Sequence, residues 1–273
     1  MRCHTSVLVF ALASSSPLLA QSLNIAIGPP TISPSSSYGG AGRPGVWNAI
    51  QALHASSAFG IVDVDGNATS VRIRQIGGMI SRSTNDPGTS GDDEKLMDHC
   101  MVTTNPTLET CIFIDFLEPG EYEAIVYAMM PAQPGVRAYV SSDEEPGFPR
   151  IIVGGAWPGQ HQELITYSRH HCIVGPTGLL RLHSGIVPGD PAALGAAMNG
   201  FQIRKLPPLL IGDLNCDGVV SVGDIAGFVL ALTDAPGYLA ANPACNIDHA
   251  DINNDGVVSV GDIAGFVALL TGG

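Results

Sequence analysis

The chain has 273 residues, 45% of them apolar and only 14% charged, with Gly 33 and Pro 20. This length is ample for a buried core, and the composition suits a turn-rich β protein while excluding a coiled coil or a disordered chain. The formal net charge of −13 argues against nucleic acid or an anionic membrane surface as partner and suits a protein that binds cations.

The N-terminus reads MRCHTSVLVFALASSSPLLAQS, with one Arg ahead of the apolar run VLVFALA and a small-residue site at Leu18-Leu19-Ala20. That is the anatomy of a secretory signal cleaved near Ala20, so the expected location is secreted, extracellular or at the cell surface. No Cys follows the apolar run to carry a lipid, and no other stretch reaches the ~18 apolar residues of a membrane span. Export places Cys100, Cys111, Cys172, Cys216 and Cys245 in an oxidising compartment, where at most two disulfides can form among five thiols. No CxxC pair is present, which argues against a thiolate zinc site.

Residues 21–46 contain PPTISPSSSYGGAGRPG and read as an extended lead-in. From Trp47 to Leu206 short apolar alternations are separated by turns. FGIVDVDG, SVRIRQIGG, CIFIDFL, EYEAIVYAMM, VRAYVS, RIIVGG, ELITYS, GLLRLHS and GFQIRKL have strand character. Asp65-Gly66, Glu118-Pro119-Gly120 and Pro134-Gly135 supply the turns. Only NAIQALHAS (48–56) and DDEKLMDHCM (92–101) predict short helices. The expected fold over 47–206 is therefore an antiparallel β-sandwich. FLEPGEYEAIVYA, with GLLRLHS and the closing NGFQIRKL, resembles jelly rolls of the galactose-binding or carbohydrate-binding-module type. That resemblance implies a surface for saccharides. Two prolines in KLPPLLIG break regular structure and predict a linker over 207–212.

The tail is chemically distinct. From Leu209 onward there are eight Asp and no Glu, Lys or Arg, so the tail carries −8 and the preceding chain −5. Carboxylates without basic partners must stay solvated or recruit cations. Within this tail DGVVSVGDIAGFV occurs at Asp217–Val229 and again at Asp255–Val267. Extended upstream, the copies become DLNCDGVVSVGD (213–224) and DINNDGVVSVGD (251–262). Both set oxygen side chains at positions 1, 3, 5, 9 and 12 and Gly at position 6, the layout of an EF-hand calcium loop. The first expected ligand set is Asp213, Asn215, Asp217, the Val219 carbonyl, Ser221 through water, and Asp224. The second is Asp251, Asn253, Asp255, the Val257 carbonyl, Ser259 and Asp262, with Gly218 and Gly256 at the sharp turns. Two Ca²⁺ ions are the expected cofactors.

Position 12 is Asp where an ordinary EF-hand has Glu, and no amphipathic helix enters the first loop. Each loop is followed by one helix, with Ile225, Phe228, Val229 and Leu232, then Ile263, Phe266, Val267 and Leu270, spaced as one apolar face. Loop–helix duplication with Asp at position 12 resembles the type I dockerin over roughly 209–273. The resemblance implies a small all-α calcium-binding module over 213–273, with two antiparallel helices docking onto a cohesin-like domain or another extracellular scaffold. Positions 10 and 11, which help choose the partner in that family, are Val222-Gly223 and Val260-Gly261 instead of the frequent hydroxyl pair. The insert TDAPGYLAANPACNIDHA is also longer than the family's. A Cys216–Cys245 bridge across it would close a loop of ~30 residues, worth about 3–4 kcal/mol in the chain-entropy model.

For catalysis the sequence offers little. GxSxG, HExxH, Walker and dinucleotide motifs are all missing. His99-Cys100 and His170-His171-Cys172 are adjacent residues whose strand side chains point to opposite faces. Asp92-Asp93-Glu94 and Asp143-Glu144-Glu145 adjoin Gly or Pro and read as solvated loops. VDVDGNATS reads as a hairpin turn rather than a third cation site. Trp47, Trp157, Tyr38 and Tyr139 are expected to pack rather than serve as sugar platforms. The expected function is that of an exported, non-catalytic binding protein, docked through its calcium module and engaged with polysaccharide. The alternatives are a polysaccharide-degrading hydrolase bearing a dockerin, and a self-stabilising surface protein that docks nothing. No catalytic residue is assigned.

Overall fold

The computed structural model describes residues 21–51, 57–76, 80–130, 133–190, 195–206, 210–242 and 245–271. The expected signal at 1–20 and residues 207–209 of the expected linker lie outside them.

In chain order the first elements are β1 (Ser22–Ile27), β2 (Trp47–Ile50), β3 (Ser57–Ala58), β4 (Arg72–Ile76) and β5 (Ile80–Ser83), then helix α1 (Gly91–Met97). Next come β6 (His99–Thr103), β7 (Thr110–Asp115), β8 (Gly120–Tyr127), β9 (Ala138–Ser142) and β10 (Ile151–Val153). The β part ends with β11 (Tyr167–Val174), β12 (Leu180–Ile186), β13 (Ala196–Met198) and β14 (Gly200–Lys205). The C-terminal part holds α2 (Ile225–Thr233), α3 (Ala235–Ala241) and α4 (Ile263–Thr271).

The strands form a five-stranded sheet, β11-β8-β14-β1-β2, a six-stranded sheet, β10-β9-β12-β7-β4-β3, and a small sheet, β13-β6-β5. The named pairs are antiparallel except β1 with β2, which run parallel from Asn24↔Trp47 to Ile27↔Ile50. One apolar cluster joins the two larger sheets. Leu23, Ile25, Ala124, Val126, Phe201 and Ile203 come from the first, and Ile73, Ile112, Ile114, Val140, Leu180 and Leu182 from the second. This layering is that of a β-sandwich. The opposite face of the five-stranded sheet is also partly covered. Ile125, Tyr127 and Tyr167 pack there with Trp47, Leu96 and Met97, against Tyr38 and Trp157.

Several local expectations give way. Residues 22–27, expected in an extended lead-in, form β1, paired on both sides by β14 and β2. The helix expected over 48–56 is a strand as far as Ile50, and residues 52–56 lie outside the described residues. Both faces of β1 are covered, so the β2 register beside it overrides a weak helical pattern. The helix expected over 92–101 stops at Met97, and His99 already belongs to β6. ELITYS is largely turn and enters β11 only at Tyr167.

The tail has its own core: Leu214, Phe228, Ala231, Tyr238, Ala250 and Phe266 are buried together. Phe228 and Phe266 stack with ring centroids 4.0 Å apart and planes 16° apart, an attractive aromatic geometry. The single apolar face expected on each helix is split, because Ile225 and Ile263 are each 43% exposed and Val229 and Val267 each 52%. Both helices are apolar almost all round, so spacing alone does not select the buried side. The insert between repeats builds α3, which the sequence reading missed. Asp234 caps it, accepting a hydrogen bond from Gly237 N at 3.0 Å.

Candidate functional site

The two repeated loops close through the same hydrogen bonds. In the first, Asp217 N and Gly218 N donate to the two carboxylate oxygens of Asp213 at 3.2 and 2.9 Å. In the second, Asp255 N and Gly256 N do the same for Asp251 at 3.1 and 2.8 Å. Asn215 Nδ2 donates to Asp217 at 2.8 Å, and Asn253 Nδ2 to Asp255 at 2.9 Å. Asp217 and Asp255 in turn accept from Val219 N and Val257 N, both at 2.9 Å. Val219 and Val257 keep their side chains outward, 60% and 61% exposed.

Position 12 has a structural task that Asp suits. Asp224 accepts from Leu214 N, Asn215 N and Ser221 N at 2.8, 3.0 and 2.7 Å. Asp262 accepts from Ile252 N, Asn253 N and Ser259 N at 2.8, 3.1 and 2.8 Å. Ser221 and Ser259 complete capping boxes by accepting from Gly223 N and Gly261 N, so positions 9 and 12 launch the following helix. Burial pushes the Asp262 carboxyl up, but the N–H donors of Ser259, Asn253 and Ile252 outweigh it and hold the group below the usual carboxylate range.

Each loop takes two left-handed residues. Position 6 is Gly218 at φ 87° and Gly256 at φ 85°, while position 4 is Cys216 at φ 56° and Asn254 at φ 55°. Asn tolerates that region and Cys does so less well. Cys216 is bridged to Cys245, with Cα atoms 5.8 Å apart, which ties the first loop to the inter-repeat segment. His249, buried, contacts the Asp213 carbonyl through Nδ1 at 2.6 Å, and Tyr238 donates to the Leu214 carbonyl at 3.0 Å.

The donor set is all oxygen, mixed among carboxylate, amide, hydroxyl and carbonyl, with no Lys or Arg in the tail. That chemistry fits a hard dication. Each Asp213 and Asp251 oxygen that accepts one N–H retains a second lone pair. Among the described residues, however, no three His, Cys, Asp or Glu side chains are gathered as around a metal. The loop carboxylates are instead turned to backbone amides.

Two polar constellations in the sandwich bear on catalysis. Ser168 Oγ lies 2.9 Å from His170 Nε2, and His170 Nδ1 lies 2.5 Å from Glu145. Such a chain resembles a nucleophile, base and orienting acid. Yet Ser168 has 0% and His170 1% exposure, on the strand face that also buries Cys172 and Val174 in the core. No substrate reaches that hydroxyl. On the other sheet, Cys111 Sγ lies 3.8 Å from His183 Nε2. Burial, reinforced by Asp143, pushes the Cys111 thiol up to about 12, so it is not a thiolate at neutral pH.

The cluster Asp143-Glu144-Glu145, expected to be solvated, is mostly engaged. Glu144 pairs with Arg181 at 2.7 Å and Glu145 with His170. VDVDGNATS is a turn as expected: Asp63 accepts from Asp65 N and Asn67 N at 3.0 and 2.8 Å. Trp47 and Tyr139 are buried, each 5% exposed, and Trp157 and Tyr38 pack beside the aromatic cluster. Cys100, Cys111 and Cys172 are free thiols. Sequence reasoning missed the arginine-lined concavity on the outer face of the five-stranded sheet, because its residues come from six separated segments.

No protein-family model matches the chain, nor does any curated protein. Among solved structures it is similar to the ANX2 ectodomain from Arabidopsis thaliana, at TM-score 0.39 and 11% identity, covering 70% of this chain and 43% of that one. It is also similar to the CBM36-1 domain of a multidomain xylanase from the hindgut metagenome of Trinervitermes trinervoides, at TM-score 0.28 and 10% identity, covering 48% of this chain and 95% of that one. A third similarity is to an exo-beta-1,3-galactanase from Phanerochaete chrysosporium, at TM-score 0.29 and 15% identity, covering 57% and 34%. The chain thus spans less than half the length of the plant ectodomain. Likeness this low extends to neither ligand nor activity. Among the described residues no helix is long and apolar enough to cross a membrane.

Proposed function

We propose that the chain is an exported, non-catalytic β-sandwich that binds polysaccharide and is carried on a dockerin-like module over residues 213–273. In this reading Asp213, Asn215, Asp217, the Val219 carbonyl, Ser221 and Asp224 hold one Ca²⁺. Asp251, Asn253, Asp255, the Val257 carbonyl, Ser259 and Asp262 hold the second. Bound calcium supplies charge neutralisation, and the chain's own capping boxes then hold each helix start against its loop. The partner is a cohesin-like domain or another extracellular scaffold, met after cleavage near Ala20.

One observation carries the reading: the repeats agree bond for bond and offer the same apolar patch twice. Val222, Ile225 and Val229 are 77%, 43% and 52% exposed, and Val260, Ile263 and Val267 are 80%, 43% and 52%. Exposed apolar clusters of this kind mark contact surfaces. Calorimetry on the full chain is expected to find two Ca²⁺ sites, with Asp213→Ala and Asp251→Ala each removing one. Pull-down from a secreted fraction is expected to need Ca²⁺, and zero sites would overturn the calcium reading.

A second reading, a module that stabilises itself and docks nothing, is favoured by the loop carboxylates' existing backbone partners and by the Cys216–Cys245 bridge. Two calcium sites with no calcium-dependent capture would select it.

A further inference from the structure

The outer face of the five-stranded sheet carries a concavity of about 370 Å³, within the usual range for small-molecule sites. Its floor is β1, β8, β11 and β14, and its wall is the segment 41–44. That wall is fastened to the floor. Ala41 N donates to Tyr127 Oη at 2.7 Å, and Arg169 donates to the Ala41 carbonyl at 3.0 Å. The Arg43 carbonyl accepts from Asn24 Nδ2 at 3.1 Å and Gln202 Nε2 at 3.0 Å. Gly42 is required there, since a Cβ would stand 2.8 Å from Gln202 Oε1. The concavity is therefore preorganised rather than a gap beneath a loose loop.

Its charge is unlike the rest of the protein. In a chain with only 12 Lys and Arg and a net charge of −13, three arginines, Arg43, Arg169 and Arg204, line it against one carboxylate, Glu123. Glu123 is shared between Arg169 at 2.9 Å and Arg204 at 3.6 Å. Asp65 and Glu163 reach Arg43 and Arg169 from outside the lining at 3.5 Å each. Arg204 Nε is enclosed with no hydrogen-bond acceptor among the described residues, while its side chain is still 34% exposed, which leaves the terminal nitrogens as the donors within reach of a ligand. Beside the guanidinium groups stand Pro44, Val64 and Ile125. Sugar rings offer the matching pair of features, an apolar C–H face and polar substituents.

We propose that this concavity binds an anionic sugar, a saccharide unit bearing a carboxylate or sulfate that Arg43, Arg169 and Arg204 clamp. The proposal rests on the reading of the sandwich as a polysaccharide binder and is independent of the calcium loops. Guanidinium forks match planar or tetrahedral oxyanions with paired hydrogen bonds. The ligand's anion competes with Glu123 for the same donors.

The test is calorimetry on the full chain with four probes: an oligouronate, a sulfated galactan oligosaccharide, neutral galactotriose and inorganic sulfate. Expected is binding of at least one acidic saccharide, with galactotriose and free sulfate each at least about tenfold weaker. Arg204→Gln and Arg169→Gln should each weaken it by about tenfold, the loss of one charged hydrogen bond. Glu123→Gln should strengthen it, a gain that damage to the fold cannot produce. Equal binding of galactotriose, indifferent to the arginine variants, would overturn this site while leaving the sandwich a sugar binder. Free sulfate binding as tightly as the acidic saccharides would reduce it to a bare anion site and overturn it. If no saccharide binds, both this site and the polysaccharide reading fall.

Discussion

Gly227 sits in the first turn of α2, where an added Cβ would lie 2.7 Å from Leu214 Cβ and 2.9 Å from the Leu214 carbonyl oxygen. Leu214 is fully buried and holds Tyr238 through that same carbonyl, so neither atom can yield cheaply. Gly227→Ala gains about 1 kcal/mol of helix propensity but incurs an overpacking cost of about 1–3 kcal/mol. The backbone contact places the cost near the upper end, for a net loss of about 1–2 kcal/mol. In a unit of this size each kcal/mol moves the melting midpoint by about 4–8 °C. The equivalent Cβ at Gly265 would meet Ile252 Cγ2 at 2.6 Å and its Cβ at 3.3 Å, with no backbone atom among its near contacts, and of these two the closer, Cγ2, can be moved by rotation about χ1. Gly265→Ala is therefore expected to cost less. The assay is thermal melting of the full chain followed by helical circular dichroism, at saturating Ca²⁺. A Gly227→Ala protein melting at or above the parent would refute the close-approach argument. So would a larger loss at Gly265.

Removing the Cys216–Cys245 bridge with a Cys245→Ser change opens a loop of 29 residues. The helical tail should lose about 3 kcal/mol, seen as an earlier helical melt with the β signal unchanged. Asp115 is held below the usual carboxylate range, chiefly by its hydrogen bond from Arg74, against burial and with Arg72 assisting. Its stabilisation is thus fully present above the unfolded carboxylate pKa of about 3.9 and is lost as pH falls through the lower folded value. The sandwich melting midpoint should fall over that acid window, and Asp115→Asn should flatten the slope there. Burial pushes the Cys100, Cys111 and Cys172 thiols up to about 12, so native protein should resist iodoacetamide at neutral pH. Denatured protein lacking residues 1–20, and so Cys3, should take up three labels, and fast native labelling of any one would contradict the packing. Phe266→Ala, which removes half of the stacked pair, should cost about 3–5 kcal/mol in the same helical melt.

What the sequence discloses is mostly local. Turn glycines, oxygen side chains and capping serines act within a dozen residues, so the outline of both loops could be read directly from Asp213–Asp224 and Asp251–Asp262. The left-handed Cys216 could not, because Cys carries no signal for that region, whereas Asn254 does. The strand pattern of ELITYS gives no sign that β11 runs on to Val174, because its buried positions include Ser168 and His170, polar residues that hide the two-residue period. Glu144 and Glu145 stand in a turn sequence, and only the strands β12 and β11 beside it show that Arg181 and His170 claim them. The arginine-lined concavity joins residues as distant as Ser22 and Arg204, and no local pattern announces such a meeting.

That distance has a kinetic consequence. β1 is an interior strand whose antiparallel neighbour is β14, in register from Ser22↔Arg204 to Ala26↔Gly200. The first segment of the sandwich to be synthesised is thus completed by the last. Closing such a long stretch of chain has a high entropic barrier, and topologies dominated by distant pairings fold slowly. A chain released short of Gly200 has no partner for the Ser22–Ile27 edge and cannot complete the sheet. Slow, end-dependent closure means that the five-stranded sheet is completed only once the chain has reached Lys205.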